Sequence, residues 1–523
     1  MRFIRPLQRW LDALHRASDG PNHKWWAFGA VSIGIFMSTL DVSIVNISLP
    51  RIMGGLNASF DAVQWVILAY LLTITSLLLA FGRLADLAGR KRVYIAGFVV
   101  FTIGNLAASL SPDVFALTGA RAFAGIGGAM LQANSIAITA AVFPERERGT
   151  ALGLSGTMVA AGLVAGPTVG GILTDFLGWR SVFYIAIPVA MLGIPLAMAV
   201  LREGRISTAG AHRNEPFDWM GSILWAAFLF ALLFGLNQGA TLGWSSPGIL
   251  TSFVLSGALA VAFVVVELRI AFPTMRLTLF RIWGFSAGST ALFCSFTSQQ
   301  VPVFLLPFYL QLVRGMSARS AGVLLTTVPL AMAVAAPVSG RLSDRYGSRG
   351  LATVGLLIVA AGFFLLERVT TPNQANGPLI GTLLFMGFGM GMFQSPNNNF
   401  IFASVPRQHY GIASGFIATM RNAASSVGIA VWGAIMTSEL TKHGLTGDLE
   451  AAVGNPTLRG TVTPVFLDGL HIAIYAAVAV LIIGVIFSAL RGPRPVRDVS
   501  TGPRIAPSPV DQPDAPARDK DVH

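Results

Sequence analysis

Residues 82–92 read Gly-Arg-Leu-Ala-Asp-Leu-Ala-Gly-Arg-Lys-Arg, and residues 340–349 repeat the pattern as Gly-Arg-Leu-Ser-Asp-Arg-Tyr-Gly-Ser-Arg. Each copy is a short basic stretch set between long apolar runs. Its glycines permit a tight turn, and its cations belong in water beside a membrane. Gly82 and Gly340 stand 258 positions apart. That offset is too large for six membrane spans alone and fits six spans plus two more. The chain therefore reads as a duplicated half with an insertion, a plan common among transporters that hold substrate between two repeats.

The runs around these loops are long enough to cross a bilayer. Residues 219–236 (WMGSILWAAFLFALLFGL) and 469–490 (GLHIAIYAAVAVLIIGVIFSAL) contain no Asp, Glu, Lys or Arg. About 20 such residues cross the hydrocarbon as a helix. Of the 523 residues, 54% are hydrophobic and 11% charged, where soluble domains carry about 25% charged residues. A soluble fold could not cover so much apolar surface. Fourteen helical spans are predicted, at about 27–50, 62–82, 93–111, 114–143, 149–174, 182–201, 219–237, 248–268, 284–308, 319–340, 351–368, 378–400, 411–437 and 469–490. They are helices because a helix satisfies its own backbone in lipid. The expected fold is an all-α integral membrane protein. Residues 27–201 form one six-helix half and 284–490 the other, with two additional helices and their loops in 202–283.

Charge placement sets the orientation. With both termini cytoplasmic, the inside segments hold 27 of the 36 Lys and Arg, the outside segments hold 7 when Arg319 and Arg368 at the outer span ends are included, and Arg121 and Arg421 fall inside spans. Moving the count by one helix would place the later basic loops outside, against the positive-inside bias. The net charge of +12 is thereby a matter of membrane orientation, and no nucleic acid partner is expected. Residues 1–26 lack the apolar core of a signal peptide. Phe3, Leu7, Trp10, Leu11 and Leu14 recur at helical spacing among arginines, which reads as a cytoplasmic amphipathic helix or a disordered tail. Residues 491–523, rich in Pro, Asp, Ser and Arg, read as a disordered cytoplasmic tail. The longest outside loop is expected at about 438–468. The single cysteine, Cys294, cannot form an internal disulfide and reads as packing.

Four elements carry the chemistry. In the first span, Leu40-Asp41-Val-Ser-Ile-Val-Asn46-Ile-Ser-Leu-Pro50 holds the one carboxylate near the middle of any span. Burial disfavours its charged form. An acid inside a membrane is costly, which favours a functional residue over a structural hydrogen-bonding one. In the fourth, Arg121 shares a helical face with Gly125, Gly128 and Gln132, and a buried guanidinium needs a partner. In the fifth, Gly162-Leu-Val-Ala-Gly166-Pro167-Thr-Val-Gly170-Gly171 spaces small residues for close helix approach, with a proline that permits a bend. The fourth element is the duplicated loop itself.

Together these elements resemble the major facilitator superfamily, and within it the fourteen-helix drug:proton antiporters of the EmrB/QacA type. The resemblance covers about residues 27–490. It implies a proton-coupling role for Asp41 and Arg121, with Asp41 the nearest partner for Arg121. It implies a conformational latch between halves involving Gly82, Asp86, Gly89, Arg90 and Asp344. The glycines and Pro167 of the fifth span are similar to a pattern found in exporters and generally lacking in uptake symporters. Trp65, Tyr70, Phe296, Gln299, Gln300, Phe393, Gln394 and Asn397 could line a pocket of aromatic and amide groups. Arg421, on one face with Ser425 and Gly428, resembles the family's span-thirteen arginine. No second acid lies mid-span in the ninth, tenth, twelfth or thirteenth span, so dicationic substrates are less expected than monocationic, neutral or anionic ones.

No P-loop, His/Cys metal cluster or GxSxG motif is present, so neither ATP drive nor an enzyme is expected. No cofactor is expected, and the proton gradient supplies the drive. The expected partners are protons, a small-molecule substrate and the lipid of a bacterial inner membrane. Membrane-fusion and outer-membrane efflux partners are possible additions to a chain expected to be monomeric. The alternatives are an exporter of one endogenous metabolite, an uptake symporter, or a transport-inactive membrane sensor.

Overall fold

The computed structural model describes residues 20, 22–144, 147–206, 218–270, 277–373, 375–405, 410–445 and 456–492. Residues 1–19 of the expected amphipathic segment and 493–523 of the expected tail lie outside them. Among the described residues, fourteen helices are long and apolar enough to span a membrane. They are α1 (His23–Gly55), α2 (Phe60–Ala88), α3 (Arg90–Ser109), α4 (Val114–Val142), α5 (Arg148–Leu177), α6 (Ser181–Val200), α7 (Trp219–Leu242), α8 (Pro247–Arg269), α9 (Trp283–Val313), α10 (Ala318–Ser343), α11 (Ser348–Val369), α12 (Asn376–Ala403), α13 (Tyr410–Lys442) and α14 (Pro456–Leu490).

Several helices overrun the boundaries expected from hydropathy. The interval 438–468 shrinks as an outside loop, because α13 runs to Lys442 and α14 already begins at Pro456. Helical hydrogen bonding continues into water past the point where apolar residues stop, so hydropathy marks the lipid core and not the helix end. The ninth span continues to Val313 through two widened turns, Val301–Leu305 and Tyr309–Val313. Pro302 and Pro307 lack the backbone N–H that a regular helix would use there.

The two halves are built alike. In the first, α4 packs against α2 and α3, and α1 against α5; in the second, α12 packs against α10 and α11, and α9 against α13. The duplicated loops share a conformation too. Gly89 at φ +105° ends α2, and Gly347 at φ +87° precedes α11. Only glycine enters that region without strain. Helix α7 lies in the seam, against α2 of one half and α13 of the other. Trp225 Nε1 of α7 donates to the Thr75 carbonyl of α2 at 3.3 Å. Helix α8 packs chiefly on α7 and exposes Val254, Leu255 and Val261. The inserted pair is therefore peripheral.

The halves are joined mainly at the face opposite the basic loops. Asp175, near the end of α5, accepts from the backbone N–H groups of Ala318 (3.1 Å) and Arg319 (2.8 Å), which open α10. An anion suits that helix N-terminus. Thr168 and Thr326 hydroxyls lie 2.7 Å apart. Gln64 of α2 donates to the Ile429 carbonyl at 2.6 Å, and Gln311 of α9 to that of Ile47 at 2.7 Å. Phe60 packs against Phe304 and Phe308 at ring separations of 5.5 and 5.0 Å. The conformation is closed on its outer side.

Reporter fusions after residues 89, 243 and 492 should read cytoplasmic, outside and cytoplasmic. A reversed signal at any of the three contradicts the topology. In a Cys294→Ser background, Thr168→Cys with Thr326→Cys should cross-link on oxidation and stop transport, and a reductant should restore it. Full turnover in the cross-linked protein would show that these ends need not part.

Candidate functional site

The structure brings Asp41 and Arg121 together inside the first half. Arg121 Nη1 donates to Asp41 Oδ1 at 3.0 Å and Nη2 to Oδ2 at 2.8 Å. Asp41 is 5% exposed and Arg121 1%. The paired fork is the strong form of a carboxylate–guanidinium contact. Around it, Asn105 of α3 accepts from Arg121 Nη1 at 3.3 Å. The Tyr70 ring of α2 lies 4.1 Å from the guanidinium carbon, and the Phe183 ring of α6 lies 5.7 Å away. Five helices thus meet on one charge pair.

Small residues allow that convergence. A Cβ at Gly125, one turn beyond Arg121, would come within 2.8 Å of Thr73 and 2.9 Å of the Tyr70 carbonyl. The α4–α2 approach that slides Tyr70 under Arg121 therefore needs glycine there. The fifth-span glycines do the same for α1. A Cβ at Gly162 would come within 2.9 Å of Thr39, one at Gly170 within 2.7 Å of Ile44, and one at Gly166 would collide with Ser43. These contacts bracket Asp41 on both sides along α1. The next face of α5 meets the second half: Gly171 abuts the Ala318 carbonyl, and Gly322 of α10 abuts the Pro167 carbonyl. One helix therefore touches both the acid-bearing span and the outer closure.

At the inner face, Arg90 donates to Asp86 Oδ1 from Nε (3.0 Å) and Nη2 (2.9 Å). Its Nη1 also reaches the carbonyls of Ala137 (3.1 Å) and Ile206 (3.0 Å). These bonds tie the inner ends of α2, α3 and α4 to the turn that follows α6. They lie within the first half, so a latch between halves requires the other conformation, in which the inner ends meet. Gly82 has only Ala133 nearby, and Gly340 faces Ser395. The side chain of Asp344 lies outside the described ones.

The expected pocket residues divide. Phe296 is half-buried, with the Arg421 guanidinium carbon 5.7 Å from its ring. Gln299 and Gln394 are half-buried, and Gln300 donates to Ser425 Oγ at 3.0 Å. Three others are engaged in packing or in hydrogen bonds in this conformation. Trp65 packs on Phe230 of α7 at 6.3 Å, toward the seam. Phe393 is 1% exposed and packs against Gly355 of α11. Asn397 is fully buried, donates to the Gly288 carbonyl at 3.1 Å and accepts from Arg491 Nη1 at 2.7 Å. Tyr70 belongs to the charge pair and is also fully buried.

Arg491 carries no signal in the sequence pattern. It is fully buried at the inner end of α14, held by Asn397, by the Ser488 carbonyl (3.1 Å) and hydroxyl (2.9 Å), and over Phe400 at 4.9 Å. Burial, aided by the charge of Arg349, pushes its guanidinium down to about 10. As the first residue after an apolar run, it read as tail. Asn105 was legible as a polar residue in an apolar span, whereas Asp175 looked like loop.

The family model described as Major Facilitator Superfamily matches residues 31–429 and, in a second match, 288–504. The chain belongs to this superfamily and is a multi-pass membrane transporter. It is 34% identical over 427 residues to the riboflavin transporter RibZ of Clostridioides difficile (strain 630), covering 80% of this chain and 89% of that one. It is 30% identical over 440 residues to the multidrug resistance protein Stp of Mycobacterium tuberculosis (strain ATCC 25618 / H37Rv), covering 84% and 80%. Its fold matches a bacterial homologue of the human lysosomal transporter Spinster, solved inward-facing and unoccupied. The TM-score is 0.64 at 17% identity, over 90% of this chain and 97% of that one.

Removing one member of the pair leaves an uncompensated buried charge. Arg121→Ala should destabilise the protein by about 3–5 kcal/mol. Adding Asp41→Asn should recover part of that loss, since the stranded carboxylate is gone. Thermal unfolding in detergent, followed by tryptophan fluorescence, measures both. A double variant no more stable than Arg121→Ala would show that the pair is not energetically coupled.

Proposed function

We propose that this chain is a proton-coupled antiporter that exports amphipathic drugs or other toxic small molecules across a bacterial cytoplasmic membrane by alternating access. The observation that carries this reading is the buried Asp41–Arg121 pair, bracketed along α1 by the glycines of α5. A carboxylate in a paired fork has two states. Ionised, it holds Arg121; protonated, it loses the charge-assisted bonds, and Arg121 is left with Asn105 and the Tyr70 and Phe183 rings. Protonation therefore alters how α1 and α4 grip each other. Because α5 packs on α1 and on α10, that change is felt where the halves close. A proton entering down a 100 mV, inside-negative potential supplies roughly 2.3 kcal/mol, enough for about a 50-fold gradient of a neutral substrate. The relative named as a multidrug resistance protein supports the export reading.

A second reading is the transport of one endogenous metabolite, favoured by the relative named as a riboflavin transporter. A panel of unrelated substrates in proteoliposomes separates the two, because a dedicated carrier moves one compound class only.

Asp41→Asn keeps the side chain's shape and cannot titrate. Under an imposed pH gradient it should lose uphill substrate accumulation while retaining counterflow exchange. If Asp41→Asn still concentrates substrate and moves protons with it, Asp41 is not the coupling site.

A further inference from the structure

Among the described residues, the three arginines that are buried as whole residues all have side-chain acceptors. Arg121 has Asp41, Arg90 has Asp86, and Arg491 has Asn397 with the Ser488 carbonyl and hydroxyl. Arg421 differs. Its Nε, like that of Arg121, is buried without a hydrogen-bond partner, but unlike Arg121 it has no carboxylate paired with it among the described residues. It lies 11 residues into α13, about 16 Å from that helix's inner end. A guanidinium that deep inside a membrane protein is costly to hold without an acceptor.

Its surroundings match a ligand. Arg421 and Phe296 are both half-buried, so each keeps some accessible surface. The Phe296 ring of α9 lies 5.7 Å from the guanidinium carbon. One turn along, Ser425 accepts from Gln300 at 3.0 Å. Beside it, Asn422 donates to Gln132 of α4 at 3.3 Å, bridging the two halves just inward of their middle. The cluster offers a fixed cation, an aromatic face and adaptable amides, drawn from both halves. No acid stands among these groups to attract a cationic substrate.

We infer that the Arg421–Phe296 cluster binds the substrate, and that the preferred class is planar aromatic molecules bearing a carboxylate or comparable anionic acceptor. The guanidinium takes the anionic group in a forked contact while the ring system lies against Phe296. The amides of Gln132, Asn422 and Gln300 accept varied polar edges. The site bridges the halves, so an occupied site reports to both. This rests on the transporter reading above and narrows its substrate.

The test uses two dyes with one xanthene frame and opposite charge: carboxyfluorescein, an anion, and rhodamine 6G, a cation. Binding to the purified full chain is measured by fluorescence anisotropy in nanodiscs of zwitterionic lipid, so that no anionic headgroup competes. The wild type should bind carboxyfluorescein at least tenfold more tightly than rhodamine 6G. Arg421→Gln should weaken carboxyfluorescein at least tenfold and leave rhodamine 6G unchanged or tighter, which also shows that the variant is folded. Arg421→Lys should restore part of the preference. Binding is read at equilibrium with no proton gradient, so failure of proton coupling is distinguishable from failure of this site. A wild type that does not bind carboxyfluorescein, or that prefers rhodamine 6G, overturns the inference. So does an Arg421→Gln variant that weakens both dyes equally.

Discussion

The structure depends on one buried ion pair in a medium that tolerates no stray charge. Asp41 and Arg121 meet in a two-bond fork, each almost wholly shielded. Removing two ions from water is costly, and the attraction between them offsets this only when the geometry is good and remaining donors are satisfied. Asn105 and the Tyr70 ring supply part of that support from two further helices. The pair therefore dictates how closely α1, α2, α3 and α4 must approach. The glycines at 125, 162, 166 and 170 follow from that demand, because larger residues would hold the helices apart. Lipid offers no hydrophobic drive between helices, so close packing and polar contacts carry the association.

Helix α5 joins this pair to the motion of the whole. One face fits α1 on either side of Asp41, and the adjoining face fits the start of α10, where Asp175 caps the helix. A shift of α1 relative to α4 has no slack to absorb it in such packing. It must be passed to the outer closure or resisted by it. The Arg90–Asp86 bonds stiffen the inner end of the same half. The first half thus behaves as a firm body whose grip on the second is set at its outer rim. The inserted α7 and α8 lie at the side of the seam and leave this arrangement intact.

Much of this was legible in the sequence, for a physical reason. Lipid demands long apolar helices, and a duplicated glycine-and-arginine loop marks the same turn twice, so span number and repeat plan are visible from residues 82–92 and 340–349. An acid and an arginine inside spans are conspicuous, and they do meet. The outer closure was hidden. Asp175, Gln64 and Gln311 are ordinary polar residues near span ends, and nothing local shows that they bond across the halves. Pocket residues were the least legible, because aromatic and amide side chains serve packing as readily as binding. Phe393 and Asn397 proved to be packing and support, whereas Phe296 lies beside Arg421.

Proton exchange at Asp41, inside the membrane domain, is directly observable. Infrared difference spectroscopy on the purified protein in lipid, between alkaline and acidic conditions, observes this without any substrate. A carbonyl band of a protonated, buried carboxyl should grow in on acidification, present in the wild type and in Asp86→Asn and missing in Asp41→Asn. Identical difference spectra for the wild type and Asp41→Asn would contradict proton exchange at Asp41.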